Sequence, residues 1–154
     1  MFASSGEYDD DPEEYDDAPD SEALKAFSSL LQLALGTGDG DGLAAAARVL
    51  GRLARVRGSM AAESVELELR RSLEWLQNEQ PADASRHRHA ACLVLAELAE
   101  NAPTLLFVHI REVFSHVWTA VRDASPAVRE AAARALRACL SVVGKRDRRL
   151  VAQW

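Results

Sequence analysis

The sequence predicts an all-α fold: an α-solenoid of about three stacked helical hairpins behind a disordered acidic N-terminal tail. Three observations predict it. The 154-residue chain is 48% hydrophobic but only 6% aromatic, and its apolar part is mostly alanine and leucine, a composition that favours helix and still fills a core. Apolar residues recur at three- and four-residue spacing through most of the chain after residue 20. Alanine-rich segments also repeat. Arg88–Leu95 aligns with Arg129–Leu136 at an offset of 41 residues, and Ala45–Leu50 aligns with Ala90–Leu95 at an offset of 45. A period of ~40–47 residues belongs to solenoids built from helical pairs.

The tail, residues 1–20, holds nine acids and no base, so the remainder carries 18 bases against 15 acids, or +3. Such a segment cannot bury enough apolar surface to offset its ordering entropy. Tyr8 and Tyr15 lie among its acids, a context that suits a tyrosine kinase or an arginine-rich partner. The start has no basic or apolar leader region, and no apolar run reaches the ~20 residues that span a bilayer. Cys92 and Cys139 sit in apolar helical runs and do not suggest a disulfide framework. The chain reads as soluble and intracellular.

Six helices follow in order. Ser21 caps a first helix over Glu22–Leu35, with Leu24, Phe27, Leu30, Leu31 and Leu35 on one side. The glycine-rich run Gly36–Gly42 reads as a flexible turn. It lacks both the Gly-Lys-Ser/Thr of a phosphate loop and the bidentate Glu of a calcium loop. A second helix spans Leu43–Val56, stopped by Gly58. A third spans Ala61–Gln77, with Val65, Leu69, Leu73 and Leu76 facing the core. A polar loop from Asn78 to Ser85 contains Pro81 and the cap candidates Asp83 and Ser85. The fourth helix, Arg86–Glu100, is apolar almost all round from Ala90 to Ala99, so it belongs between neighbours on both sides. Pro103 and Thr104 open a fifth helix, Leu105–Arg122, with Leu106, Ile110, Val113, Phe114, Val117, Trp118 and Val121 as its stripe.

Asp123 and Ser125 can cap a sixth helix, and Pro126 suits its first turn, where a missing N–H costs nothing. Val128, Ala131, Ala132, Ala135, Leu136, Cys139 and Leu140 form its apolar stripe. The alanines imply a close helix contact at Ala135. Outer helices one, three and five thus alternate with inner helices two, four and six. The array covers residues 21–143, in units of 21–58, 59–101 and 102–143, and a charged segment, 144–154, leads towards a missing continuation. The positions that carry the repeat are Ala45, Leu50, Arg88, Ala90, Leu95, Asp123, Pro126, Val128, Arg129, Ala131, Ala135 and Leu136. Neither end resembles a polar capping repeat, so apolar surface stays open for neighbours.

No constellation points to catalysis. His87 and His89, two apart on a helix, point to opposite sides. His89 and Cys92 share a face without further ligands, and His109, Glu112 and His116 do not form the H-E-x-x-H pair. A small metal enzyme built on His89, Cys92 or His109 is the remaining enzymatic reading. Lys145–Leu150, KRDRRL, lacks the His and Asn of a kinase catalytic loop. Arg48, Arg52, Arg55 and Arg57 could form a binding ridge, but without interleaved aromatics nucleic acid is not its partner.

The pattern D-x-x-x-x-V-R-x-x-A-x-x-A-L from Asp123 to Leu136 resembles the second half of a HEAT repeat. The segments Ala46–Ala54, Val65–Leu76, Arg88–Phe107 and Val117–Leu140 resemble, in order, the N-terminal HEAT array of target-of-rapamycin (TOR) serine/threonine kinases of the phosphatidylinositol-kinase-related family. The resemblance runs from about Leu43 to Trp154. It implies a cytoplasmic scaffold, peripheral to endomembranes through its complex. Such a scaffold helps build a dimeric assembly, docks Raptor-like regulatory subunits and serves nutrient-responsive growth signalling. No kinase motif is present, so no catalytic residue carries over, and the ATP and magnesium of such a kinase belong outside this chain. A free-standing HEAT or armadillo-like adaptor is the alternative.

Overall fold

A computed structural model describes residues 21–77 and 83–151. Among them run seven helices and no strand: α1 (Ser21–Thr37), α2 (Gly40–Leu53), α3 (Ser59–Gln77), α4 (Ala84–Asn101), α5 (Pro103–Val108), α6 (Ile110–Val121) and α7 (Pro126–Val151). The acidic tail, most of the Asn78–Ser85 loop and the final Ala152–Trp154 lie outside the described residues.

The helices form two layers. In the inner layer α2 packs on α4 and α4 on α7; in the outer layer α1 packs on α3 and α3 on α6. The hairpins α1–α2, α3–α4 and α6–α7 join the layers, and α4 touches every other described helix. Ala90 to Ala99 are all buried, as the all-round apolar pattern predicts. The side chains there are small enough for neighbours to come close on several sides at once. Gly51 of α2 lies close against α4. A Cβ there would stand 2.7 Å from Asn101 Nδ2 and 3.1 Å from Glu97 Oε2 of α4.

Three expectations are corrected. The fifth helix is two helices, α5 and α6, broken at His109, whose N–H bonds the Leu106 carbonyl in a tightened turn. α5 packs on α4 and α7, with Phe107 under the Arg146 guanidinium at 4.2 Å, whereas α6 packs on α3 as well as on α7 and α4. Of the two, only α6 packs on α3. The glycine run Gly36–Gly42 is not an open loop. α1 continues to Thr37, α2 begins at Gly40, and Gly38–Asp39 alone link them. The Asp39 carboxylate accepts from the Gly42 N–H at 3.0 Å and caps α2. A Cβ on Gly38 would lie 2.5 Å from the Ala34 carbonyl oxygen, so the turn requires glycine. Third, the apolar stripes are wider than their buried part. Phe27, Leu30, Trp118 and Leu140 are exposed.

α7 also runs on through Gly144 and the KRDRRL segment to Val151. Ala135, fully buried, lies in the inner layer where α7 meets α4. Ala135→Trp overpacks this contact and should cost roughly 1–3 kcal/mol or more, read as a lower denaturant midpoint. An unchanged midpoint would mean that α7 does not face α4 at this residue.

Candidate interaction surfaces

The seam between the second and third hairpins is polar and closed. Asp123, in the turn before α7, has a side chain that is 1% exposed. Arg88 of α4 meets its Oδ2 with Nε and Nη2, both at 2.7 Å. The Ser85 hydroxyl and the Ser125 N–H each donate to Oδ1 at 2.8 Å. Burial alone would raise the Asp123 carboxyl. The Ser125 N–H, the Ser85 hydroxyl and Arg88 outweigh it and hold the group below its ordinary value. Asp123 is therefore more than a helix cap: it ties α4 to α7.

On the same two helices Arg134 Nη2 meets Glu97 Oε1 at 2.9 Å, and Asn101 Nδ2 donates to the Glu97 carbonyl at 2.7 Å. Arg129, the repeat counterpart of Arg88, donates to the carbonyls of Asp123 and Ala124 at 2.8 and 2.7 Å. The other repeat positions divide by place. Leu50, Ala90, Leu95, Val128, Ala131 and Ala135 are buried, Leu136 is half-buried, and Pro126, Arg129 and Ala45 are exposed. Ala90 and Ala131 sit on helices with an inner helix before them. Ala45 has none among the described residues, and stays open.

A cluster that sequence reasoning missed joins α3 to α4. Trp75 stacks on His87 at 4.7 Å between centroids, with the Arg71 guanidinium 4.4 Å from the Trp75 ring. Arg71 also reaches the buried Glu68 at 3.1 Å and donates to the Gln32 carbonyl of α1 at 3.0 Å. Burial pushes the Glu68 carboxyl up against the opposing effects of Arg71 and Gln32. Glu68, Arg71 and Trp75 at i, i+3 and i+7 were the available signal, since that spacing puts all three on one helix face.

The candidate ligands are placed differently from a metal centre. Burial lowers both His87 and His89, with the Arg86 charge adding to it at His87. Burial pushes the Cys92 thiol up to about 12, helped by Cys139 and Asp123, and the Cys139 thiol up to about 11. Neither favours a thiolate ligand. His109 lies 3.3 Å from Glu66 of α3 and 3.9 Å from Glu112. Among the described residues no three His, Cys, Asp or Glu side chains come together to hold a metal ion. An open groove of about 440 Å³ lies between the α2–α3 turn, α3 and the start of α5. Leu53, Val56, Val65, Ala102 and Leu105 line it, with Glu63 and Glu66 at its side.

What the arrangement offers instead is apolar flanks. On α1, Ser28 lies 2.9 Å from Ser64 of α3 and the Gln32 carbonyl binds Arg71. The opposite side carries Phe27, Leu30 (66% exposed) and Leu33 (60% exposed). On α6, Thr119 donates to the Leu76 carbonyl of α3 at 3.0 Å, and the side turned from α3 carries Trp118 (48% exposed). On α7, Arg134 marks the side facing α4, and Leu140 (53% exposed) lies away from it.

Residues 113–143 match the HEAT repeat family. The chain is 39% identical over 140 residues to the serine/threonine-protein kinase tor1 of Schizosaccharomyces pombe, covering 91% of this chain and 6% of that protein. It is 44% identical over 112 residues to the serine/threonine-protein kinase TOR of Arabidopsis thaliana, covering 73% and 4%. It is 37% identical over 151 residues to the TOR kinase of Oryza sativa, covering 86% and 6%. The chain thus spans only a small fraction of the length of the relatives it matches. No described helix is long and apolar enough to cross a membrane.

Asp123→Asn removes the charge that holds Arg88 and should destabilise by roughly 2–3 kcal/mol at pH 7. Because the Asp123 carboxyl is depressed in the fold, its stabilisation is present above the ordinary carboxylate value. It is lost as pH falls through the lower folded value. The gap between parent and variant should therefore close below about pH 4, measured by denaturant midpoints in a pH series. A gap unchanged down to pH 2 would remove Asp123 as the titrating group.

Proposed function

Because the chain belongs to the N-terminal HEAT-repeat region of the TOR serine/threonine kinases, we propose that it is a non-catalytic scaffold segment supplying surfaces for assembly. The observation that carries this reading is the pair of apolar flanks at opposite ends of the layers, on α1 and on α6–α7. Exposed leucines and a tryptophan on the end helices of a stack are what further hairpins would cover, burying ~25 cal/mol per Å² of apolar area.

In this reading the phosphoryl-transfer chemistry of the relatives, with its ATP and magnesium, lies outside the chain. The segment works in the cytoplasm, peripheral to endomembranes through its complex, within nutrient-responsive growth signalling. Raptor-like regulatory subunits are its docking partners. The flanks would join it to the rest of the solenoid, and its long edges would meet the regulatory subunit.

Exposed flanks make a direct test possible. The isolated chain should self-associate with rising concentration in sedimentation experiments. Leu30→Asp with Leu33→Asp at one end, or Trp118→Asp with Leu140→Asp at the other, should reduce association while leaving helical circular dichroism unchanged. A parent chain that stays monomeric throughout would contradict the open-flank account. A purified Raptor-type subunit that does not bind the chain would remove that partner.

A further inference from the structure

The open groove beside the α2–α3 turn combines an apolar lining with one sign of charge. Leu53, Val56, Val65 and Leu105 line it together with two carboxylates, Glu63 and Glu66, and no base does. Helices end and begin there in pairs. α2 ends at Leu53 and α3 begins at Ser59; α4 ends at Asn101 and α5 begins at Pro103. The negative end of one helix dipole is thus set against the positive end of the next, and the side chains decide the sign of the site.

The two acids differ. Glu66 is already engaged, 3.0 Å from Arg70 and 3.3 Å from His109. Glu63 is exposed and has no cation within ion-pair distance among the described residues. Arg55 and Arg57, in the turn, are exposed and are not part of the lining. Apolar surface also runs out of the groove. Val56, which lines it, is exposed, and so is Leu67, four residues after Glu63 on the same face of α3. Single exposed apolar residues are ordinary; here two adjoin an apolar groove and an unpaired carboxylate. At about 440 Å³ the groove has the volume of a small-molecule site, ~300–1,000 Å³, but not the enclosure that buries ~70–90% of such a ligand. An open groove suits a segment of protein whose own chain covers the side chains it inserts.

We propose that this groove docks a basic amphipathic segment of a protein partner, with apolar side chains on Leu53, Val56, Val65 and Leu105 and a lysine or arginine on Glu63. The aliphatic stem of such a base lies on the apolar lining while its charge stays at the wet rim. The pair at Glu63 is partly exposed, so it selects the sign of the partner and the apolar anchors supply most of the affinity. Two carboxylates without a base oppose an acidic segment. The groove lies at helix ends, on a long edge of the array, so the proposal rests on the scaffold reading and names the chemistry of one partner. The apolar flanks on α1 and α6–α7 take no part in it.

The test uses the full chain, isotope-labelled, and three short synthetic peptides: alternating leucine and lysine, alternating leucine and glutamate, and alternating serine and lysine. The leucine–lysine peptide should shift the amide signals of Ala62 to Glu66 and of Leu105 saturably, at concentrations where the other two do not. Residues 1–20 hold nine acids that attract basic peptides regardless of the groove, and the serine–lysine peptide measures that background. Ala62 is exposed and lines the groove, so Ala62→Trp fills it without entering the core, and it should abolish the shifts. Glu63→Gln should weaken the leucine–lysine peptide about three- to fivefold, the size of one partly exposed ion pair. Circular dichroism checks that both variants stay helical. No saturable shift with the leucine–lysine peptide would overturn the proposal. So would equal shifts with the leucine–glutamate peptide, or shifts unchanged in Ala62→Trp or in Glu63→Gln. Failure of self-association bears on the flanks alone and leaves these readouts as they are.

Discussion

How closely α2, α3 and α7 can approach α4 governs the rest of the array. A helix buried on several sides must offer small side chains wherever neighbours come near, and leucines wherever the gaps between them need filling. Ala90, Ala91, Ala96 and Ala99 do the first; Leu93, Leu95 and Leu98 do the second. Gly51 takes the same logic to its limit, because even one methyl group would meet Asn101 and Glu97. Packing at interior density leaves little room for a change of volume on this helix. The two layers, the order of the hairpins and the direction of each end flank follow from that fixed centre.

Polar contacts add orientation to this packing. Arg88–Asp123 and Glu97–Arg134 both cross from α4 to α7, at positions nine residues apart on α4 and eleven apart on the chain that holds α7. Two such fixed points oppose sliding of α7 along α4, which an alanine interface alone would resist weakly. Asp123 is well satisfied: four donor groups from three residues converge on one carboxylate whose burial would otherwise oppose its charge. Arg71 performs a related task in the outer layer, where it touches Glu68, the Trp75 ring and the Gln32 carbonyl of α1.

The helices and the central place of the fourth were legible in the sequence because alanine-rich 3.6-residue periodicity is a strong local signal. The repeat offsets located Leu50, Ala90, Leu95, Ala131 and Ala135 on buried faces for the same reason. Ala45 is exposed because burial depends on a neighbour, and no inner helix precedes α2 among the described residues. The same limit explains Phe27, Leu30, Trp118 and Leu140, which carry core-type side chains on open flanks. The break at His109 has no proline or glycine to mark it in the sequence; it separates α5, on α4 and α7, from α6, which also reaches α3. Asp123 read as a cap, whereas its tie to Arg88 spans 35 residues and has no local signature beyond the repeat.

The thiols are buried, His87 is stacked on Trp75, His109 lies beside Glu66 and Glu112, and Phe27, Leu30, Leu33, Trp118 and Leu140 are exposed on α1, α6 and α7. The fold depends on α4 as the shared wall of a single cooperative array. Native-state hydrogen exchange measures this most directly. The amides from Ala90 to Ala99 should be the slowest in the chain and should exchange together with those of Ala131–Cys139 in one global opening. Exchange of the α4 amides at the rate of those in α1, or in separate openings hairpin by hairpin, would contradict it.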